Sequence, residues 1–206
     1  LLSSVINGML TSTKPSDFWT INPSKCFAEL AKAKTTQQRN GQSVFNHTMN
    51  VLDSLSLKSE TTLLAALFHD LGKTEICVTF DQSKFPNHAL LSARIVRRRL
   101  SSWQSSQELI DKISRLVNTH MFDITIPLSH KTISKFVADV GRHNIDAWFI
   151  LREADSVAYH NHSIYCQQFI KPFKIKIKNY LNQLPGTIKF PSGDANTDVS
   201  INLDGK

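Results

Sequence analysis

The chain has 206 residues, 41% of them hydrophobic and 20% charged, and carries a formal net charge of +7. This composition fits one soluble globular domain, with or without extensions, and favours anionic partners such as nucleotides, nucleic acid or phosphate esters without choosing among them. Cys26, Cys77 and Cys166 lie far apart with no C-x-x-C pair, which excludes a disulfide framework and a zinc finger and sets a reducing, cytoplasmic location as the default. No stretch approaches the ~20 apolar residues that span a bilayer, so no membrane partner is expected. Leu1 to Leu10 lacks the basic flank of a signal peptide, and the absence of an initial Met leaves an upstream segment open.

Residues 1–42 are mixed in character and read as an N-terminal extension. Turn or helix-start signals at Thr13-Lys14-Pro15-Ser16 and Asn22-Pro23-Ser24 precede a short helix over 24–34, and 37–42 reads as polar loop. From Ser43 the apolar residues Val44, Phe45, Val51, Leu52 and Leu55 recur near the helical period. A second helix over 59–70 carries the run Leu63-Leu64-Ala65-Ala66-Leu67-Phe68, apolar nearly all round and therefore buried. Gly72 reads as its stop, and 73–87 as a connection. Further helices are expected over 87–100, 106–120 and 131–140, the last ending at Gly141, and from Asn144. A long basic helix over 163–184 ends at Pro185-Gly186. Strand signals are weak and confined to 123–127 and the tail 186–206. The fold class is all-α, a bundle of about seven helices over 43–185.

The buried helix over 59–70 closes on an adjacent imidazole and carboxylate, His69-Asp70, which is costly in a core unless the pair is hydrogen-bonded or holds a metal. Other helices offer His47, His88, His120 and Asp155 at their ends or inward faces. Alone, each histidine reads as a satisfied or exposed side chain and Asp155 as a surface charge. Together they follow the way a helical bundle builds a metal site, with one or two ligands from each of several helices.

His47, His69-Asp70 and Asp155 resemble the H…HD…D signature of the HD-domain metal-dependent phosphohydrolases, with HD-L-G-K a common form of its centre. The segments 45–52, 67–73, 116–122 and 151–155, with His88, resemble the HD region of bacterial tRNA nucleotidyltransferases (CCA-adding and poly(A) polymerase-like enzymes) over roughly 15–185, and the tail resembles a segment that follows that region. The chain has no Gly-Ser turn or Asp-x-Asp pair of a nucleotidyltransferase head, so the resemblance carries over the hydrolase and not the polymerase.

That resemblance implies one divalent ion on His47, His69, Asp70 and Asp155, with Asp70 bridging to a second on His88 and His120; the alternative is that His88 and His120 bind phosphate directly. Mixed nitrogen and carboxylate ligands suit Mn, Fe, Co, Ni or Zn better than the oxygen-loving Mg. Besides Asp70, Lys73 and Arg152 are the candidate catalytic and substrate-binding residues, as clamps on a phosphate; the alternatives are a helix-end cation and a structural ion pair. The related one-metal 5′-deoxynucleotidases carry a catalytic Glu three residues after the HD aspartate. Here that position is Lys73, and Glu75 is out of register by two. The leading expectation is a nucleoside monophosphate phosphatase. A 2′,3′-cyclic phosphodiesterase or phosphatase acting on nucleotides or RNA ends, and a non-catalytic tRNA- or nucleic-acid-binding body with a structural metal, stand as alternatives. Two basic stretches bear on the last: Arg94 to Arg99, either a solvated face or a nucleic-acid rim, and Lys171 to Lys178, whose lysines fall on an outer helix face. Oligomeric state is left open.

Overall fold

The computed structural model describes residues 1–38, 40–76, 85–125, 128–159 and 162–184. Expectations for 126–127, for Cys77 and most of the 73–87 connection, for Pro185-Gly186 and for the tail fall outside them.

The fold is all-α, and the described residues hold no strand beyond an isolated bridge between Gln37 and Ser43. The helices are α1 (Leu2–Thr11), α2 (Asp17–Thr20), α3 (Ala28–Ala33), α4 (Val44–Asp53), α5 (Glu60–Phe68), α6 (His88–Ser102), α7 (Gln107–Thr119), α8 (His130–Val140), α9 (Ile145–Ala158), α10 (His162–Tyr165) and α11 (Lys171–Gln183). Among the described residues no helix is long and apolar enough to cross a membrane.

Four helices start where a serine supplies the missing acceptor. The side chains of Ser43, Ser59, Ser106 and Ser129 accept from the backbone amides of Asn46, Thr62, Leu109 and Thr132. At α5 the arrangement is reciprocal, Thr62 Oγ1 accepting from the Ser59 amide at 2.9 Å. Gly141 ends α8 at φ 86°, a backbone angle that favours glycine.

Helix α5 is the axis of the bundle. Every side chain from Thr62 to Phe68 is buried, and α1, α4, α6, α7 and α9 all pack against it. The core around it contains Trp19, Phe68, Phe136, Trp148, Phe149 and Phe173, all fully buried. Helices α1 and α2 were not foreseen; their Val5, Ile6, Met9, Phe18 and Trp19 join the same core.

Two sequence readings are corrected. Gly72 does not stop a helix: α5 ends at Phe68, and Gly72 lies inside a 3-10 turn, Leu71–Glu75. Its need for glycine is steric, because a Cβ there would run into the His88 carbonyl oxygen and the Ser92 amide of α6. The long C-terminal helix is also not uniform. A π turn, Cys166–Ile170, separates α10 from α11. Pro172 accounts for it: its ring clashes with the carbonyl four residues back, and a wider turn relieves that contact. Beyond it Phe173, Ile177 and Leu181 face inward, while Lys171, Lys176 and Lys178 lie outside as expected.

Candidate metal centre

The end of α5 delivers His69 and Asp70 to the middle of the fold. His47 comes from α4, His88 from the first residue of α6, His120 from the C-cap of α7, and Asp155 from α9. The six side chains anticipated as ligands converge, and all but Asp155 are buried.

Asp70 sits between two groups of histidines. Its Oδ2 lies 3.5 Å from His47 Nε2 and 3.4 Å from His69 Nε2, and its Oδ1 lies 3.3 Å from His88 Nε2 and 3.6 Å from His120 Nε2. Asp155 Oδ1 joins the first group, 3.0 Å from His47 Nε2 and 3.8 Å from His69 Nε2. Each of the triads His47-His69-Asp70 and Asp70-His88-His120 has its ligand atoms within 4.8 Å of one another, the spacing a metal ion needs.

The backbone fixes the tautomers. Nδ1 of His69, His88 and His120 lies 2.8, 2.8 and 2.7 Å from the carbonyl oxygens of Ala66, Phe85 and Val117, each three residues back. A carbonyl only accepts, so each Nδ1 carries a proton, and it is Nε2 that faces the centre, with a bare lone pair whenever the ring is neutral. Two such lone pairs face each other at His88 and His120, whose Nε2 atoms lie 3.4 Å apart, while His47 Nε2, 3.2 Å from His69 Nε2, is also 3.0 Å from Asp155 Oδ1. Such an arrangement is unfavourable until a cation or a proton enters it. The donor set therefore fits a divalent ion.

The electrostatics point the same way. Burial disfavours a charged Asp70, but Lys73, His69 and His120 outweigh it and hold the carboxyl well below the usual range. Burial likewise opposes the charge on Asp155, and the hydrogen bond from His47 with the charges of His69 and His47 overcomes it. Burial presses His69 toward its neutral form, yet the neighbouring Asp70 and Asp155 raise it. At His120 burial prevails and lowers it.

Lys73 is not a solvated helix-end cation. It is buried, with Nζ 2.6 Å from Asp70 Oδ2 and donating to Gln38 Oε1 at 2.6 Å. Gln38 lies in the segment expected to be polar loop, yet it is buried. The sequence offered no signal for it beyond a polar residue near a turn. Glu75, the acid nearest the position of a nucleotidase glutamate, pairs with Arg98 at 2.7 Å.

Arg152 donates from Nη1 to the His120 carbonyl at 3.1 Å and from Nη2 to the Tyr165 hydroxyl at 2.5 Å, and Nη1 lies 3.7 Å from Asp155 Oδ2. Together with Asp70, Lys73, His88, His120 and Asp155 it lines a cavity of about 480 Å³. The rest of the lining is mostly apolar and includes Tyr159, Tyr165 and Phe169, which no periodic pattern had marked.

The basic run on α6 lies apart from this cavity. Arg97 pairs with Asp111, Arg98 with Glu29 and Glu75, and Arg99 with Glu29.

Comparison with known protein families matches residues 42–160 to the HD domain, more than half of the chain and a span within which the six anticipated ligands lie. A search of curated proteins finds no match.

Proposed function

The chain belongs to the HD-domain family of metal-dependent phosphohydrolases, and from that premise we propose that it hydrolyses phosphate esters of nucleotides, acting as a nucleoside monophosphate phosphatase. The observation that carries this reading is the two-sided Asp70, with a histidine pair at each oxygen and a cavity of about 480 Å³ opening onto it.

In this reading His47, His69, Asp70 and Asp155 would hold one ion, and Asp70, His88 and His120 would hold a second. Bound divalent ions would neutralise phosphoryl charge and lower the pKa of water at the site. The ligands are mixed nitrogen and oxygen, which favours Mn, Fe, Co, Ni or Zn over Mg.

The chain's own groups complete the work. Arg152, fixed by the His120 carbonyl and the Tyr165 hydroxyl, presents a cation at the cavity wall beside the metal ligands. Lys73 balances the charge of Asp70 and lines the same cavity. The burial of five ligands excludes bulk water from the centre and strengthens every charge interaction in it.

The test supplies metal-stripped protein with Mn²⁺, Co²⁺, Ni²⁺ or Mg²⁺ and offers 5′-, 3′- and 2′-nucleoside monophosphates beside 2′,3′-cyclic nucleotides. Phosphate release from a monoester supports the proposal. Ring opening alone supports the cyclic diesterase suggested by the nucleotidyltransferase resemblance. No turnover, with tRNA binding retained, supports the non-catalytic reading. The ion pairs that engage Arg97, Arg98 and Arg99 weigh against that last outcome.

A further inference from the structure

The cavity over the metal centre has two unlike halves. Every charged residue lining it is either an anticipated metal ligand or one of Lys73 and Arg152. The remainder is an apolar wall formed chiefly by Met121, Tyr159, Ile164, Tyr165 and Phe169. Three of these are large apolar side chains left open to solvent: Met121 is 52% exposed, Tyr159 42% and Ile164 59%. Single exposed apolar residues need no explanation, but a cluster of them around one polar centre marks a binding surface.

The wall is built rather than incidental. The π turn before Pro172 carries Phe169, and Tyr165 immediately precedes that turn. Turns of this kind occur often at functional sites. The rings of Tyr165 and Phe169 are 5.3 Å apart and tilted by 45°. The Tyr165 hydroxyl is satisfied by Arg152, whose guanidinium also lies 5.4 Å from the Tyr165 ring centroid. Tyr159 stands edge-on to His47 at 5.6 Å and so joins the wall to the metal end.

We propose that this wall is a ring-binding subsite, so that the protein selects phosphate monoesters whose alcohol carries a planar base over small polar phosphate esters. The proposal deepens the phosphohydrolase reading and rests on it for the chemistry, though not for the binding of the ring. The charged half takes one phosphate and the apolar half takes the neutral part of the same molecule. The described lining holds no further cation for a second phosphate, which favours a mononucleotide over a polynucleotide chain. A volume of about 480 Å³ lies in the range of roughly 300–1,000 Å³ usual for small-molecule sites.

The experiment compares kcat/KM for adenosine 5′-monophosphate and ribose 5-phosphate with the Mn²⁺-loaded protein. The two substrates share the ester and the sugar and differ in the base. The wild type is expected to prefer the nucleotide at least about tenfold, and Phe169→Ala to lower that preference about tenfold. Phe169→Leu, which keeps apolar bulk and loses the flat face, should lower it in the same direction if the alanine variant folds poorly. Equal rates on both substrates, or an unchanged preference in both variants, would overturn the subsite and leave the phosphohydrolase standing. If no ester is turned over, the phosphohydrolase reading fails instead. Calorimetry with adenosine and the metal-stripped protein then tests the subsite alone: saturable binding weakened by Phe169→Leu upholds it, and no binding overturns it.

Discussion

Lys73 Nζ lies 2.6 Å from Asp70 Oδ2, the carboxylate oxygen that also faces His47 and His69. One buried ammonium and any ion held by that triad thus share a single oxygen. In the metal-free protein Lys73 pairs with Asp70, and Gln38 accepts a second hydrogen bond from the same Nζ.

Replacing Lys73 by Met removes that counter-charge and keeps the apolar stem. Breaking a buried ion pair costs about 3–5 kcal/mol, and the histidines around Asp70 can take up protons in compensation, so a loss of about 3 kcal/mol is expected in chelator. Mn²⁺ should then stabilise the variant more than the wild type, because the ion takes over the missing charge. Urea denaturation with and without Mn²⁺ reads both effects. A variant as stable as wild type in chelator would show that Lys73 does not carry the charge of Asp70.

The pH dependence has opposite senses at the two kinds of ligand. Burial notwithstanding, Asp70 and Asp155 raise His69 in the metal-free protein. Its stabilising contribution is therefore complete below about pH 6.5 and is lost as pH rises through the folded-state value. An entering ion must expel that proton, so Mn²⁺ affinity should rise between about pH 6 and about pH 8, with protons released on binding. Asp70 runs the other way. It is held well below the usual carboxyl range, so its contribution is present above about pH 3.9 and disappears only as pH falls through its lowered value. Calorimetric Mn²⁺ titrations in buffers of different ionisation enthalpy check the first claim; affinity that is flat or falls toward high pH contradicts it.

Gly72→Ala tests how the second histidine pair is positioned. The added methyl meets backbone of α6 at His88 and Ser92, where the Gly72 amide also donates to Ser92 Oγ at 2.7 Å. Backbone cannot swing away as a side-chain tip can, so a loss of at least about 1–3 kcal/mol is expected. The displaced His88 should weaken metal binding on the Oδ1 side of Asp70 more than on the Oδ2 side. Thermal denaturation and Mn²⁺ stoichiometry measure the two consequences, and wild-type values for both would remove the packing role assigned to Gly72.

The sequence was most informative where periodic packing and local chemistry agreed. The starts of α4, α5 and α7 were legible because each has a serine ahead of an apolar period. The convergence of His47, His69, Asp70, His88, His120 and Asp155 was legible because His and Asp at the ends or inward faces of apolar helices have few inexpensive explanations. Helix α1 was readable in principle from Leu2, Val5, Ile6 and Met9, whose spacing is helical, but α2 has only four residues and too little period to detect. Gln38 was hidden because its burial depends on the Gln37–Ser43 bridge and on Lys73, partners that no local pattern names. Gly72 looked like a helix stop because the clash that requires it involves a helix sixteen residues farther along the chain. The aromatic wall depends on the π turn, and Pro172 was the signal available for that break.

The central claim is that Asp70 holds the two halves of one metal centre together, and ion binding tests it most directly. Metal-stripped wild type and Asp70→Ala are equilibrated with Mn²⁺, and the bound ions are counted. The account predicts two ions per wild-type chain, and at least about tenfold weaker binding at both positions in the variant, since a buried metal loses a charged ligand on each side. Wild-type stoichiometry and affinity in Asp70→Ala would contradict it.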